Sequence, residues 1–111
     1  MVEQIPANDV MIFRIQVEVL DASNSKEFKT EIGPLLEANP KAVFDLSRIT
    51  FIDSSGLGAL LSCLRKLNEV GGDLKLAGLT KPARSLLELV RMHKIVEIFE
   101  TTEEAVASLS S

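Results

Sequence analysis

Cysteine and histidine are almost absent from this chain, and their scarcity limits its chemistry. Cys63 is the only cysteine among 111 residues, so no disulfide can form within the chain and a reducing compartment is expected. It falls within a predicted helix, where we expect a buried and unreactive thiol. One cysteine and one histidine, His93, do not form a zinc-binding pattern, so we expect no metal or cofactor site.

Long apolar runs are also missing. None approaches the roughly 20 residues that a membrane-spanning helix needs. The N-terminus has no basic region followed by an apolar segment, so we expect no secretory signal. These absences predict a cytoplasmic protein that does not insert into a membrane.

Positive charge is in the minority. The chain has 12 lysines and arginines against 16 aspartates and glutamates, a formal net charge of −4. Nucleic acids and anionic membranes attract basic surfaces, so neither is expected to be the main partner. A basic protein partner suits this composition better.

The sequence also lacks the signatures of common enzymes. The phosphate-binding patterns G-x-x-x-x-G-K-[ST] and G-x-G-x-x-G do not occur, and no serine lies in a G-x-S-x-G turn. A serine nucleophile needs a base, but His93 is expected at a helix end, where it interacts with the helix dipole or solvent. We therefore assign no catalytic residue and expect a binding protein rather than an enzyme.

The most informative stretch lies at residues 49–61. An apolar run ends at Asp53, Ser54 and Ser55, and Gly56 and Gly58 follow shortly after. The next apolar residues recur at helical spacing and predict one buried helix face: Leu57, Leu60, Leu61, Leu64 and Leu67. The polar loop therefore precedes a helix N-terminus, whose first N–H groups have no partner within the helix.

The Asp-Ser-Ser-Gly sequence has two interpretations from the residues alone. Aspartate and serine are preferred N-cap residues, so these side chains could do no more than satisfy helix donors. One cap needs only one residue, however, and the glycines leave the hydroxyls accessible. A phosphoryl group on either serine would meet free N–H donors and the positive end of the helix dipole, and would change the surface that a partner contacts.

Alternation and turn signals predict the strands. Residues 11–19 alternate apolar and polar side chains and are predicted as one strand with a buried face. The other predicted strands are residues 42–46, 73–77 and 95–99, with residues 1–6 as a short edge strand or irregular chain.

Capping residues predict four helices. The first opens at residues 23–25, with Glu27 available for a capping box, and is expected to kink or break near Gly33 because Pro34 follows. The second runs from the Asp53 loop to about Val70. The third is capped by Thr80, with an apolar face of Ala83, Leu86, Leu87 and Val90, and the fourth by Thr101 or Thr102, ending near Leu109.

Strands alternate with helices after Leu20, which predicts a single α/β domain over residues 1–111. Its sheet is expected to be mixed and mostly parallel, with four to five strands, about four helices and an antiparallel first strand at one edge. Ligands of such sheets meet the loops after the strands' carboxyl ends. The Asp53 loop belongs there if the strand before it is residues 42–46, and the Asp21 turn should lie beside it.

Residues 53–58 resemble the signature of the STAS domain family, named for sulfate transporters and anti-sigma factor antagonists. Three other segments are similar to that family: Asp-Leu-Ser-x-Ile-Thr-Phe-Ile, Gly-Gly-Asp-Leu-Lys-Leu-Ala-Gly-Leu and Leu-x-Leu-Val-x-x-x-x-Ile-Val-Glu-Ile-Phe. The resemblance covers about residues 10–109. For a free-standing domain of this length it is strongest to the bacterial anti-sigma factor antagonists.

This resemblance implies a regulated binding protein. Such an antagonist binds an anti-sigma factor that is also a serine kinase with an ATP site, and so releases a sigma factor. The kinase phosphorylates the serine after the motif aspartate, here Ser54, and a phosphoserine phosphatase restores the antagonist. The implied partner-binding residues are Asp21, Asp53, Ser54, Ser55, Gly56, Leu57 and Gly58. Asp21 matches the aspartate of the family's Gly-Glu-Leu-Asp turn, here Glu18-Val19-Leu20-Asp21 without the glycine.

The same family also suggests a second role. Some STAS domains are non-switching scaffold or adaptor subunits of stress complexes or lipid-transport assemblies. The intact Asp-Ser-Ser-Gly sequence and the acidic net charge favour the switch over the scaffold.

Overall fold

In the computed structural model, which describes residues 1–110, a five-stranded sheet separates three helices on one face from one helix on the other. The strands are β1 (Val2–Ala7), β2 (Val10–Ile15), β3 (Val19–Leu20), β4 (Lys41–Asp45), β5 (Phe51–Ile52), β6 (Asp73–Ala77) and β7 (Ile98–Phe99). The helices are α1 (Ser25–Ala38), α2 (Ser54–Glu69), α3 (Lys81–Leu89) and α4 (Thr102–Leu109), with a 3-10 turn at Met92–Lys94.

The strand order in the main sheet is β1-β2-β4-β6-β7. β1 pairs antiparallel with β2 at one edge, and the other neighbours are parallel. The predicted α/β fold, with a mixed and mostly parallel sheet, is therefore confirmed. No helix within residues 1–110 is long and apolar enough to cross a membrane.

The central strand β4 is buried on both faces, which explains its short continuous apolar run. Val43 packs with α4, whereas Phe44 faces the other three helices. The Phe44 ring meets Phe13 of β2 edge-on, with centroids 6.1 Å apart, and Phe28 of α1 at 6.0 Å. These aromatic contacts fasten α1 to the middle of the sheet.

Asp45 ends β4 as a buried carboxylate, only 6% exposed. Its Oδ1 accepts the Ser47 backbone N–H at 3.0 Å, and its Oδ2 accepts Arg14 Nε–H at 3.1 Å. Burial alone would raise the pKa of this carboxyl, but hydrogen bonds from Ser47 and Arg14 outweigh it and hold the pKa below its ordinary value. The carboxylate thus fixes the start of the loop that leads to β5.

We expect acid to remove the stability that the Asp45 charge contributes. Because its folded pKa is lowered, the contribution is present above the unfolded pKa and is lost as the pH falls through the folded pKa. Denaturant midpoints of the wild type and Asp45→Asn, measured from neutral to strongly acidic pH, should converge at the acidic end. A difference between the two proteins that does not change with pH would contradict this role of the charge.

The single strand predicted at residues 11–19 is wrong. β2 ends at Ile15, and Val19 pairs with Phe51 in a separate two-stranded parallel ladder, β3–β5. The exposed Glu18 supports this ladder, since its carbonyl accepts Thr50 N–H at 2.7 Å. The alternation continued across the break because both segments are extended, and a period of two does not say which strand a segment pairs with.

Of the kink or break predicted near Gly33, the break does not occur, and the kink stays a prediction. α1 continues through Pro34 without a break. Proline removes one helical hydrogen bond, but the buried Phe28, Ile32 and Leu36 hold the turns on both sides of it against the core.

The N-terminus of α1 differs from the capping box that was predicted with Glu27. Asn24 is the N-cap, but its side chain makes no cap hydrogen bond. It instead accepts from Asp21 N–H at 3.0 Å and donates to the Val19 carbonyl at 2.9 Å. The side chain therefore ties the Asp21 turn to β3. Thr80 and Thr101 cap α3 and α4 as predicted.

The end of the third helix departs from the prediction. Val90, which was assigned to the buried face, is 48% exposed, because α3 ends at Leu89 and Arg91 adopts a left-handed conformation with φ of 62°. The strand predicted at residues 95–99 is reduced to β7, and Ile95 is 55% exposed. The apolar periodicity ran past the helix end and gave no sign of the turn.

Candidate functional site

The first part of the site is the capped N-terminus of α2. Asp53 is the N-cap, and its Oδ1 accepts the Gly56 N–H at 2.9 Å. Its carbonyl accepts the Leu57 N–H, also at 2.9 Å. The capping interpretation is therefore confirmed for Asp53, and neither serine is needed as the cap.

The second carboxylate oxygen of Asp53 joins two loops. Oδ2 accepts the Ala22 backbone N–H at 3.1 Å, and the Asp53 N–H donates to the Leu20 carbonyl at 3.2 Å. The pairing of Leu20 with Ile52 in the β3–β5 ladder brings Asp21 and Asp53 side by side. The expected proximity of the two loops is confirmed, although the strand before Asp53 is β5 and not β4.

Asp21 holds its own turn together. Its Oδ1 accepts hydrogen bonds from the Ser23 N–H at 2.9 Å and the Ser23 hydroxyl at 2.6 Å. Its Oδ2 has no hydrogen-bond partner in the described part of the chain. Asp21 thus has a structural role in the turn, and its contact with a partner stays a prediction.

The two serines differ in exposure. Ser54 is the first residue of α2 and is exposed, whereas Ser55 is half-buried. Neither hydroxyl has a hydrogen-bond partner within residues 1–110, and the backbone N–H groups of both serines are likewise unpaired there. Ser54 therefore combines an accessible hydroxyl with free N–H donors at the positive end of a helix.

The two glycines of the motif have different roles. A Cβ on Gly56 would lie 2.3 Å from the Leu20 carbonyl oxygen and 2.7 Å from Ile52 Cγ2. A Cβ on Gly58 would meet nothing within 4 Å. Gly56 is therefore required where α2 crosses the β3–β5 ladder, while Gly58 lies on the open surface.

An apolar groove of about 360 Å³ lies beside Ser54. This Ser54 groove is lined by Ser54, Leu57, Gly58, Leu61, Val90, Met92 and Ile95. The sequence placed Leu57 and Gly58 at the site but missed the three residues after α3, because Val90 was assigned to the apolar face of the third helix and Ile95 to the last strand. One feature of the sequence could have indicated an exposed connection here, which is the basic segment Arg91-Met92-His93-Lys94.

Cys63 lies in a separate groove of about 200 Å³ that Lys29 and Ser62 also line. The thiol is buried as predicted, and burial raises its pKa to about 12. It is therefore protonated at neutral pH, which agrees with the expected lack of reactivity. In residues 1–110, no group of three His, Cys, Asp or Glu side chains is placed to hold a metal ion.

Comparison with known proteins places this geometry in a family. The model of the STAS domain matches residues 2–105. The Anti-sigma F factor antagonist of Paenibacillus polymyxa is 28% identical over 102 residues, which cover 90% of this chain and 86% of the relative.

Solved structures show the same fold. An anti-sigma factor antagonist from Mycobacterium paratuberculosis superposes with a TM-score of 0.86 at 20% identity, over 98% of this chain and 92% of that one. The phosphorylated form of the Bacillus cell fate determinant SpoIIAA gives a TM-score of 0.70 at 21% identity, over 97% and 98% of the two chains. The chain belongs to the STAS domain family, in which its curated homologues are named anti-sigma factor antagonists.

Proposed function

We propose that this chain is an anti-sigma factor antagonist controlled by phosphorylation of Ser54. It binds an anti-sigma factor that is also a serine kinase with an ATP site, and binding releases a sigma factor. The observation that carries this proposal is the exposed, unpaired Ser54 hydroxyl at the start of α2, next to the Asp21 turn. The names of the curated relatives support the role, and the phosphorylated SpoIIAA structure shows that a protein of this fold carries a phosphoryl group.

The N-terminus of α2 can accept a phosphoryl group without refolding. The group adds about −1.5 to −2 charges and three acceptor oxygens at pH 7. The unpaired N–H groups of Ser54 and Ser55 are donors for those oxygens, and the helix dipole favours negative charge there by about 0.3–1 kcal/mol.

The same group would change what a partner meets. Ser54 is next to Asp53 in the chain, and Asp53 is hydrogen-bonded to the Asp21 loop. Phosphorylation turns a neutral hydroxyl into a bulky, strongly hydrated anion, so a partner that fits the unmodified surface must make room for the group and remove its water. A phosphatase that removes the group restores binding.

The proposed role is binding, not catalysis, and it takes place in the cytoplasm, where the kinase, the phosphatase and the sigma factor are present. The antagonist acts on transcription through the anti-sigma factor, without contacting nucleic acid itself. Its proposed contact residues outside the groove are Asp21, Asp53 and Ser55, and Ser54 contributes from the groove wall.

Incubation with the anti-sigma factor kinase of the same genome and ATP should place one phosphate on Ser54. Ser54→Ala should not be labelled, and Ser55→Ala, the matched control, should be labelled normally, because Ser54 is exposed whereas Ser55 is half-buried. Peptide mass spectrometry gives the position. A phosphate on Ser55, or labelling of Ser54→Ala, would overturn the assignment.

Ser54→Asp should bind that kinase at least about tenfold more weakly, because the new charged group must lose its hydration when the partner covers this surface. Its melting temperature should hardly change, since a carboxylate in the first turn of a helix is mildly favourable. Calorimetric titration in the presence of ADP measures the affinity. Loss of binding together with unfolding would mean that Ser54 is mainly structural.

The scaffold role predicts a different result in the same assays. A scaffold subunit would bind its partner equally well before and after incubation with kinase and ATP, and Ser54→Asp would bind like the wild type. Either result would replace the switch by the scaffold.

A further inference from the structure

We propose that the Ser54 groove receives an apolar side chain of the anti-sigma factor, flanked on that protein by carboxylates. This inference rests on the proposed function and names the partner chemistry of the second half of the site. The residues it adds are Val90, Met92 and Ile95, which lie across the groove from Leu57 and Leu61.

The connection after α3 exposes more apolar surface than folding alone requires. Val90 is 48% exposed and Ile95 55%, and both line the groove; Leu89, the last residue of α3, is 79% exposed but is not a lining residue. Single exposed apolar residues are ordinary, but a group of them around a groove is typical of a protein interaction site. The left-handed turn at Arg91 produces this display, because it ends the helix and turns the chain so that residues on both sides of it line the groove.

The charges around these side chains indicate the partner's chemistry. Arg91, His93 and Lys94 are all exposed, and neither Arg91 nor Lys94 forms an ion pair within the described residues. Residues 89–95 contain no aspartate or glutamate, although the chain as a whole has a net charge of −4. These three residues lie in the sequence between the lining residues Val90, Met92 and Ile95. Carboxylates beside an apolar anchor are therefore the groups that complement this segment.

The two halves of the site therefore have opposite charge. Ser54 lies between the Asp21–Asp53 side, which is acidic, and the segment 89–95, which is basic. A partner with a basic and an acidic patch can dock on this surface in one orientation only, because the reversed orientation opposes like charges.

The position of Ser54 on the groove wall couples phosphorylation to both kinds of contact. A phosphoryl group there would place about −1.5 to −2 charges at the groove mouth. An apolar side chain could then enter only by displacing water from that anion, and the partner's flanking carboxylates would be repelled by it. One modification thus opposes apolar docking and charge pairing together.

The test compares Val90→Asp with Val70→Asp. Both valines are helix C-cap residues, and they are 48% and 55% exposed, but Val70 lies at the far end of α2 from Ser54. A carboxylate at either helix C-terminus has the same unfavourable dipole interaction, so a shared loss of stability cancels in the comparison. The probe is the purified anti-sigma factor kinase that phosphorylates the wild-type chain, titrated in the presence of ADP.

Val90→Asp should bind about tenfold or more weakly, as expected when a central apolar contact is replaced by a charge, and Val70→Asp should stay within about twofold of the wild type. Ile95 lies outside the helices, and Ile95→Asp should weaken binding as much as Val90→Asp. If Val90→Asp folds poorly, the affinity of Ile95→Asp tests the groove instead. At a saturating concentration of the variant as substrate, phosphorylation of Ser54 should reach the wild-type rate, so that the defect appears in KM and not in kcat.

The outcomes separate the two proposals. Wild-type affinity in both Val90→Asp and Ile95→Asp, with phosphorylation of Ser54 intact, would overturn the groove inference and leave the proposed function standing. Absence of binding and labelling in the wild-type chain would overturn the proposed function, and the groove inference with it.

Discussion

Gly56→Ala should destabilise the protein by about 3 kcal/mol, which is at the upper end of the cost of overpacking. The added Cβ would lie 2.3 Å from the Leu20 carbonyl oxygen, and a backbone atom of β3 cannot move aside as the end of a flexible side chain can. Moving it would also break the hydrogen bond from Asp53 N–H to that oxygen. The cost therefore falls on the part of the fold that carries Ser54.

Gly58→Ala is the control, and it should change stability in the opposite direction. Its Cβ meets nothing within 4 Å, and alanine is favoured over glycine inside a helix by about 0.5–1 kcal/mol. Denaturant unfolding of the two variants, followed by circular dichroism, measures both values. Equal stabilities would contradict the close approach of α2 to β3.

Phe44→Ala should cost about 3–5 kcal/mol, the range for removing a fully buried aromatic side chain. Phe44 is completely buried and contacts the rings of Phe13 and Phe28. The cavity would thus open between the central strand and α1, at the point where the helix is fastened to the sheet.

Phe51→Ala makes the same chemical change on the surface, where the side chain is 53% exposed. It should alter stability by no more than about 0.5–1 kcal/mol. Thermal unfolding of both variants tests the pair. A loss for Phe51→Ala as large as that for Phe44→Ala would show that the β3–β5 ladder contributes far more to the core than its exposure indicates.

The parts of the site that are local in sequence could be predicted. α2 follows from the spacing of its leucines, and the cap follows from Asp53, because both signals involve residues within a few positions of each other. The overall sheet was predictable for the same reason, since the alternation of strands and helices restricts the connections to a few arrangements.

The parts that depend on distant residues could not be predicted. The β3–β5 ladder has two residues on each strand and joins Val19 to Phe51, too short a pairing to produce a pattern in either segment. The groove depends on Arg91, which takes up a conformation more typical of glycine or asparagine, so the apolar pattern did not mark Val90 and Ile95 as exposed. Valine and isoleucine are also typical core residues, so their identity did not distinguish these exposed positions from buried ones.

The β3–β5 ladder has a further consequence for how this surface can be recognised. The loops that meet at Ser54 are joined by Ala22 and Leu20 on one side and by Asp53 on the other, and these residues are about 30 positions apart in the chain. A peptide copied from residues 49–60 would contain the serine but neither the N–H nor the carbonyl that Asp53 binds. An enzyme that contacts both loops would therefore act only on folded molecules and would not modify copies of the chain that are unfolded.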